Sequence, residues 1–286
     1  MKNELTTGTC DLHTHSCYSD GTYTPSELIA EAERIGLSAI ALTDHNTVAG
    51  LDEFLAAADG STVEAVPGIE LSTEWRGREL HILGLYIKTS DFSRLVALVE
   101  SMRERKEAAY RECIASLNSA GYELDYDEIA KECRGQANRA HIARELVRRG
   151  YVGSREEAFA TLLNPRGDHY RAPKYLEAEE AIRFLKSIGA VTVWAHPYLS
   201  LDEESVSEFL PLARAAGLDA MEVYYSRYDE KTLATARREA ARFGILESGG
   251  SDFHGPIKPD VLLGVGTGNL AVPYPVLEKM KKIINK

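Results

Sequence analysis

Residues 11–21 read D-L-H-T-H-S-C-Y-S-D-G and place two histidines and an aspartate directly after a short apolar run. Thr9–His13 is predicted to be a buried β-strand, the first of the chain. Residues two apart on an extended strand point to the same side, so His13 and His15 are expected to act as a pair. Asp20 follows five positions after His15. The stretch therefore predicts a strand end at which polar side chains cluster, and the role of this cluster depends on the other histidines of the chain.

Composition and net charge limit the number of domains and the kinds of partner that the chain can have. The chain has 286 residues, 44% of them hydrophobic, which is enough for one large α/β domain or two smaller ones with a full core. The formal net charge of -11 argues against long duplex nucleic acid and anionic membranes as partners. A local basic pocket could still hold one phosphorylated ligand.

The cysteines and the start of the chain favour a cytoplasmic protein. Cys10, Cys17, Cys113 and Cys133 include no C-x-x-C pair and suggest no disulfide framework. The first nine residues lack the apolar core of a signal peptide, and no run is long enough to span a bilayer. We therefore expect a soluble protein in a reducing compartment.

Strand and helix patterns alternate at both ends of the chain, which favours a parallel sheet with helices outside it. The predicted strands are Thr9–His13, Ser38–Leu42, Val63–Pro67, Leu80–Tyr86, Ala190–Ala195, Ala220–Tyr224 and Gly244–Glu247. Thr24-Pro25-Ser26-Glu27 predicts a helix start, with Thr24 as the cap and Glu27 completing a capping box. Other helices are expected near Val48–Ala58, Phe92–Ala120, Tyr126–Glu132, Arg139–Arg149, Ser154–Leu163, Glu177–Ile188, Glu203–Ala216 and Lys231–Phe243. Residues 91–180, almost wholly helical, are interpreted as a subdomain inserted into one barrel domain that comprises residues 1–90 and 181–286.

Six of the eight histidines are predicted to lie at or just beyond the C-terminal end of a strand, where the loops of an α/β barrel build its active site. They are His13, His15, His45, His81, His196 and His254, and the carboxylates expected there are Asp20, Asp44, Glu70 and Asp252. Asp252 and His254 form a second pair two residues apart, whereas Asp44 is more typical of a turn or of support for a ligand. Imidazole and carboxylate without thiolate suit Zn, Mn or Fe in an open, hydrolytic site. A single histidine at a strand end is usually an ordinary hydrogen-bonded residue, so the metal prediction depends on the whole set.

Six motifs in order resemble those of the PHP (polymerase and histidinol phosphatase) metal-dependent phosphoesterases. They are D-L-H-T-H-S-x-x-S-D-G, L-T-D-H-N-T-V-A-G, G-I-E, H-I-L-G, A-H-P and G-S-D-F-H-G, and together they extend over nearly the whole chain. The resemblance implies a distorted seven-stranded (β/α)7 barrel with a trinuclear site at the C-terminal ends of the strands. One departure is Asn46, which follows His45 where many relatives have Asp, but this position is not an expected ligand.

The same resemblance implies a division of nine ligands among three divalent metal ions. One ion would be held by His13, His15, Glu70 and Asp252. Glu70 would bridge to a second ion, held also by His81 and His196, and Asp20, His45 and His254 would hold the third. The catalytic residues are then expected to be Asp20, His45, Glu70, His196 and His254. Such ions can activate water and neutralise phosphoryl oxygens, and the chain has no convincing G-x-S-x-G or Walker-type loop for another mechanism.

The helical insertion is expected to help choose the substrate. Arg103, Arg105 and Lys106 fall on one predicted helix, and Arg139 and His141 lie at the start of another, where backbone N–H groups attract anions. Arg103, Arg105 and Lys106 are also compatible with a solvated charged face, and His141 with a surface position. A structured loop is an equally good interpretation of Gly167–Lys174, which includes His169.

R-x-H-I-A-R-E-L and E-V-Y-Y-S resemble the PHP branch that removes the 3′-phosphate from nucleoside 3′,5′-bisphosphates and includes 5′-to-3′ exonucleases of short RNA. Many relatives have Arg-Pro-His where this chain has Ala140 between Arg139 and His141. The resemblance adds further candidates for substrate binding, namely Asp20, His45, Tyr224, Tyr225, Ser226 and Arg227.

The sequence thus predicts a metal-dependent phosphoesterase that converts a nucleoside 3′,5′-bisphosphate to an AMP-like product and phosphate by metal-activated hydroxide. A 5′-to-3′ exoribonuclease of short RNA is the nearest alternative. Histidinol phosphate phosphatase uses similar chemistry, but its small substrate gives no purpose to the insertion. A non-catalytic, metal-dependent binding module is a further alternative, although a ligand set with open positions favours turnover.

Overall fold

The computed structural model describes residues 8–131 and 137–284. The chain divides into two compact units, one formed by the chain up to Val96 together with the chain from Leu176 onward, the other by Ala97–Tyr175. The predicted boundaries, 90/91 and 180/181, stay a prediction. Glu132, which was predicted to end a helix, Cys133 and residues 1–7 lie outside the described residues.

The secondary structure follows the predicted alternation, with several differences in extent. The strands are β1 Thr9–Asp11, β2 Ala39–Leu42, β3 Glu64–Trp75, β4 Arg78–Leu85, β5 Val191–Ala195, β6 Ala220–Tyr225, β7 Leu246–Gly250 and β8 Val272–Pro273. The helices are α1 Pro25–Ile35, α2 Leu51–Ala57, α3 Phe92–Ser119, α4 Tyr126–Lys131, α5 Arg139–Arg148, α6 Arg155–Ala160, α7 Ala178–Ser187, α8 Pro197–Ser200, α9 Glu203–Ala216, α10 Glu230–Phe243 and α11 Tyr274–Ile284. Strand β8 and helices α8 and α11 were not predicted.

Helix α1 begins at the predicted capping box. The Thr24 hydroxyl accepts the Glu27 N–H at 3.2 Å, and the Glu27 carboxylate accepts the Thr24 N–H at 2.8 Å. Gly36, at φ 78°, ends the helix in the left-handed conformation that glycine adopts without strain.

The prediction of a parallel sheet was wrong for β3 and β4, which form an antiparallel hairpin. Only Arg76 and Gly77 separate the two strands, and both have positive φ, 52° and 74°. Two such residues make the tight turn whose twist matches a hairpin, and a connection this short cannot cross over to a parallel neighbour. β4 also pairs antiparallel with β5, and β8 with β1.

The eight strands of the described residues form one sheet in the order β7-β6-β5-β4-β3-β2-β1-β8. Just beyond β1 the sheet closes on itself: the Leu12 N–H donates to the Gly249 carbonyl at 3.2 Å, and the Asp252 N–H to the His13 carbonyl at 2.9 Å. A Cβ on Gly250 would lie 2.4 Å from the Cβ of His13, so glycine is what lets the strands approach. The predicted distorted barrel is confirmed, with a short eighth strand.

Each unit has its own apolar core. Inside the barrel, Cys10, Leu12, Val193 and Val272 are buried together, and α11 packs Leu277 against them. In the second unit the core is formed by α3, α5 and their neighbours, with Leu117, Ile142 and Leu146 fully buried. Within the described residues, no helix is both long enough and apolar enough to cross a membrane.

Candidate metal centre

The first segment of the centre follows β1. His13 and His15 are fully buried, and their Nε2 atoms lie 3.1 Å apart. Both rings therefore turn to one side, as the spacing predicts. The backbone between them is fixed by the Thr14 hydroxyl, which donates to the Ala41 carbonyl at 2.6 Å.

Asp44 fixes the loop that presents Asp20. Its carboxylate accepts the Ser16 N–H at 2.7 Å, the Ser16 hydroxyl at 2.6 Å and the Ser19 hydroxyl at 2.5 Å. Asp20 itself is 57% exposed, and its Oδ1 lies 3.2 Å from His254 Nε2. Asp44 thus supports the loop, as expected for a turn residue.

Glu70 lies at the middle of the centre and is completely buried. Its Oε2 lies 3.1 Å from His13 Nε2, 3.2 Å from His15 Nε2 and 3.0 Å from His45 Nδ1. Its Oε1 lies 2.9 Å from His81 Nδ1 and 3.3 Å from His196 Nε2. One carboxylate therefore touches five histidines that come from four separate segments of the chain.

Two predicted positions need correction, although the residues do meet. Glu70 is inside β3 and His81 is in the first half of β4, so neither follows the C-terminal end of a strand. β4 runs opposite to its neighbours, so its N-terminal half lies beside the C-terminal end of β5, with His81 paired to Ala195. A residue near the start of an antiparallel strand thus reaches the same rim as the residues that follow parallel strands.

Asp252 and His254 do not act as an extended pair. Asp252 has φ 57°, a left-handed conformation that breaks the two-residue repeat of a strand. Its Oδ1 lies 3.3 Å from His15 Nε2 and 3.7 Å from His13 Nε2. His254 instead faces Asp20, and its Nδ1 contacts the Asp252 carbonyl oxygen at 2.8 Å.

Asn46 holds His45 in place. The Asn46 side chain accepts the Ser72 N–H at 3.0 Å and donates to the Ser72 hydroxyl at 2.9 Å. Asn46 adopts φ 50°, a conformation that Asn tolerates better than most residues. The departure from the family pattern therefore leaves His45 anchored beside β3.

The potential ligands form four overlapping groups, each with its ligand atoms within 4.8 Å of one another. The groups are His15, Asp20, His45 and His254; His13, Glu70 and His196; His13, His15 and Asp252; and His45, Glu70 and His81. Together they contain the nine residues of the expected ligand set. The groups share residues, so the division of the nine ligands among three ions stays a prediction.

Buried nitrogen atoms without hydrogen bonds show that the centre fits metal ions. Among the described residues, His15 Nδ1, His45 Nδ1, His81 Nδ1 and His254 Nε2 are buried and have no hydrogen-bond partner. The short contacts of His45 and His81 with Glu70, and of His254 with Asp20, lack hydrogen-bond alignment. Buried polar atoms of this kind cost free energy unless something binds them, and a divalent cation would accept their lone pairs.

Burial and neighbouring charges shift the pKa values of the ionisable side chains in the centre. Burial alone would raise the pKa of Glu70, but His13, His81 and His45 outweigh it and hold that pKa well below its ordinary value. Burial lowers the pKa of His45 to about 4, against the attraction of Glu70. Burial opposes a charge on His81 too, yet contact with Glu70 and Glu79 raises its pKa to about 10. A buried carboxylate thus provides the negative centre around which the imidazoles gather.

Three supporting residues were missed from the sequence. Glu222, fully buried in β6, contacts His13 Nδ1 at 3.0 Å, and a lone charge inside the apolar run A-M-E-V-Y-Y could have signalled it. Asp11, another charge in an apolar run, accepts the N–H groups of Ser251 and Gly264 at 2.8 Å. Lys258 donates to Asp252 Oδ2 at 3.1 Å, and no sequence signal marks it.

The predicted substrate residues at the end of β6 have different surroundings. Tyr225 is buried and donates its hydroxyl to Asp252 Oδ2 at 2.9 Å, and the Ser226 hydroxyl donates to the Ser251 carbonyl. The Arg237 guanidinium lies 5.2 Å from the centre of the Tyr224 ring. Arg227 pairs with Asp260 and keeps 45% of its side chain exposed.

The other predicted substrate residues belong to the second unit. On α3, Arg103 pairs with Glu100, Arg105 is exposed, and the Lys106 ammonium lies 5.7 Å from the Tyr175 ring. The Arg139 guanidinium lies 4.8 Å from the rings of both Phe159 and Tyr170. His141 caps α5, its Nδ1 accepting the Asn138 N–H at 3.1 Å. The substrate-binding role of these five residues stays a prediction.

Comparison with known proteins places the chain in a family. The model of the PHP domain matches residues 11–190. A 5′-3′ exoribonuclease from Haemophilus influenzae is 34% identical over 86% of this chain and 90% of its own length. A 3′,5′-nucleoside bisphosphate phosphatase from Chromobacterium violaceum is 32% identical over 86% of this chain and 87% of its own length. A solved structure from Bifidobacterium adolescentis, of a protein classed by inference as a metal-dependent phosphoesterase, has a TM-score of 0.67 and 26% identity over 96% of both chains.

The family match and the relatives agree with the chemistry of the centre, which joins six histidines and three carboxylates at one rim of a distorted barrel. The chain belongs to the PHP domain family and is a metal-dependent phosphoesterase.

Proposed function

We propose that the protein hydrolyses the 3′-phosphate of nucleoside 3′,5′-bisphosphates, releasing inorganic phosphate and a nucleoside 5′-phosphate. The observation that carries the proposal is the buried Glu70 carboxylate in contact with five histidines. The similarity of most of the chain to a 3′,5′-nucleoside bisphosphate phosphatase supports this substrate class.

The nine side chains would hold divalent ions, with Mn, Zn and Fe as candidates and three as the expected number. Such ions would neutralise phosphoryl charge and supply an activated water. Neighbouring side chains orient the proposed ligands. Asp44 fixes the loop that carries Asp20, and Tyr225 and Lys258 both donate hydrogen bonds to Asp252 Oδ2. These contacts keep the ligands in place before a substrate arrives.

Exposure indicates where a substrate would enter. Asp20, His45 and His81 have exposed side-chain fractions of 57%, 25% and 19%, whereas His13 and Glu70 have none. A phosphate that approaches from solvent would therefore meet Asp20 and His45 first. This order supports Asp20 and His45 as substrate contacts as well as ligands.

A 5′-to-3′ exoribonuclease of short RNA is the second candidate. It is favoured by the 34% identity with the Haemophilus influenzae exoribonuclease. Both reactions break the bond between phosphorus and the 3′ oxygen of a nucleoside 5′-phosphate with the same metal chemistry. They differ in whether that phosphorus also carries the rest of an RNA chain. Substrate length therefore separates the two candidates.

The test measures two products with Mn²⁺-loaded protein. One assay follows inorganic phosphate from adenosine 3′,5′-bisphosphate, and the other follows mononucleotides from a 5′-phosphorylated oligoribonucleotide. Faster turnover of the bisphosphate supports the proposal, and faster release of mononucleotides supports the exonuclease. Histidinol phosphate is the negative control, and turnover of that compound alone would overturn both candidates.

A further inference from the structure

Glu222 is a buried carboxylate whose two oxygens hold two different parts of the metal centre. It lies on β6 with no exposed surface. Its Oε1 contacts His13 Nδ1 at 3.0 Å, and its Oε2 accepts the backbone N–H of His196 at 2.7 Å. His13 follows β1 and His196 follows β5, so a single side chain joins two segments far apart in sequence.

The contact with His13 selects one form of the imidazole ring. A carboxylate only accepts hydrogen bonds, so a neutral His13 beside it carries its proton on Nδ1. The lone pair is then left on Nε2, the atom that lies 3.1 Å from both His15 Nε2 and Glu70 Oε2. Glu222 therefore leaves the nitrogen that faces the other ligands free to bind a cation.

The contact with His196 holds a strained piece of backbone. His196 adopts φ 30° and ψ 52° and is followed by Pro197. A residue other than glycine rarely adopts positive φ, and a following proline disfavours helical conformations further. The N–H bond to Glu222 fixes this conformation, which brings His196 Nε2 to 3.3 Å from Glu70 Oε1.

Strand β6 is irregular beside Glu222. The pairing of β6 with β7 shifts register between Glu222 and Tyr224, and Tyr225 beyond the shift bonds Asp252. A bulge allows side chains at an odd spacing to reach the same region. Burial of a carboxylate is costly unless its oxygens are bonded, and both Glu222 oxygens are bonded to histidines.

We propose that Glu222 is a positioning residue of the metal centre, which sets the tautomer of His13 and the backbone of His196. This inference rests on the proposed role of both histidines as ligands. Glu222→Gln keeps the shape, but an amide has only one accepting oxygen. The amide oxygen can accept from His13 Nδ1–H or from the His196 N–H, but not from both. One of the two histidines therefore loses its hydrogen bond to residue 222 and is no longer held in its ligand position.

The matched control is Glu239→Gln. Glu239 is a buried glutamate of the same unit, on α10, and it accepts the Ser207 hydroxyl at 3.1 Å. It appears in none of the four ligand groups. We expect Glu222→Gln to weaken Zn²⁺ binding by about 10- to 100-fold, the usual effect of losing such a partner, and Glu239→Gln to leave it unchanged, both by calorimetry. Equal affinity of Glu222→Gln and wild type would overturn the proposal.

A second readout uses the wild-type chain and does not depend on whether the variant folds. Ring ¹⁵N spectra of metal-free protein, taken at a pH that leaves one proton on His13, report the tautomer directly. We expect Nδ1–H, and Nε2–H would overturn the proposal. A wild type that binds no Zn²⁺ yet shows Nδ1–H would count against the proposed ligands, while Glu222 would keep its effect on His13.

Discussion

Glu70 and His81 lie 2.9 Å apart, Oε1 to Nδ1, although they occupy strands that run in opposite directions. The hairpin turn at Arg76 and Gly77 makes this possible, because it folds β4 back along β3 with His81 paired to Ser72, two residues from Glu70. Antiparallel pairing thus adds a histidine that a purely parallel barrel would have placed at the opposite rim.

Glu70→Gln is expected to abolish the metal centre. The amide removes the negative charge that five histidines share, so we predict a fall in phosphatase kcat/KM of about 1000-fold or more, equivalent to about 4 kcal/mol. Glu74→Gln is the control, since Glu74 lies on the same strand and belongs to none of the ligand groups. Activity of Glu70→Gln near that of Glu74→Gln would refute the central role of Glu70.

Metal ions are expected to stabilise the fold. His15 Nδ1, His45 Nδ1 and His254 Nε2 are buried and have no hydrogen-bond partner among the described residues, so binding is favoured in the folded chain. At free metal of about 100 times Kd the free energy of unfolding should rise by about 2.7 kcal/mol. Calorimetry of stripped and Mn²⁺- or Zn²⁺-reloaded protein checks this, and an identical Tm for the stripped and reloaded forms would exclude binding at the centre.

Tyr225→Phe tests whether Tyr225 supports Asp252 or binds substrate. Loss of the hydroxyl removes the bond to Asp252 and should weaken metal affinity by roughly tenfold, equal to about 1.4 kcal/mol, with KM little changed. Tyr224→Phe is the matched neighbour, and its ring lies near Arg237. A rise in KM for either variant at saturating metal would instead favour direct substrate contact.

Gly250→Ala is expected to strain the closure of the barrel. The added methyl would lie 2.4 Å from the Cβ of His13 and 2.5 Å from its backbone nitrogen. Overpacking of this kind costs about 1–3 kcal/mol, measurable as a lower urea midpoint. Gly153→Ala is the control, because the nearest atom to its new methyl is the end of the flexible Glu157 side chain, at 3.2 Å. Equal midpoints for the two variants would show that β7 tolerates a side chain there.

The sequence predicts those parts of the fold that depend on local signals. The capping box of Thr24 and Glu27 is a local pattern, and so is the H-x-H of His13 and His15. The hairpin also had a local signal, Arg76-Gly77, but the alternation of strands and helices favoured a parallel connection instead. Strand β8 has two residues, too few for any periodicity to appear.

The site was less predictable wherever its geometry depends on tertiary contacts. The Asp252 carboxylate lies beside His13 and His15 while His254 Nε2 faces Asp20, and no spacing rule contains that information. Glu222 becomes meaningful only when β6 lies beside the segment that follows β1. The pairing of Lys258 with Asp252 likewise depends on a loop whose path the sequence does not specify.

The most direct test of the centre is anomalous X-ray diffraction from crystals loaded with Mn²⁺ or Zn²⁺. We predict peaks about 2.0–2.2 Å from Glu70 carboxylate oxygens and from imidazole nitrogens of the surrounding histidines. Crystals of Glu70→Gln loaded with metal in the same way should lack the peaks closest to residue 70. Metal-loaded wild-type crystals with no anomalous peak within coordination distance of Glu70 would contradict the account.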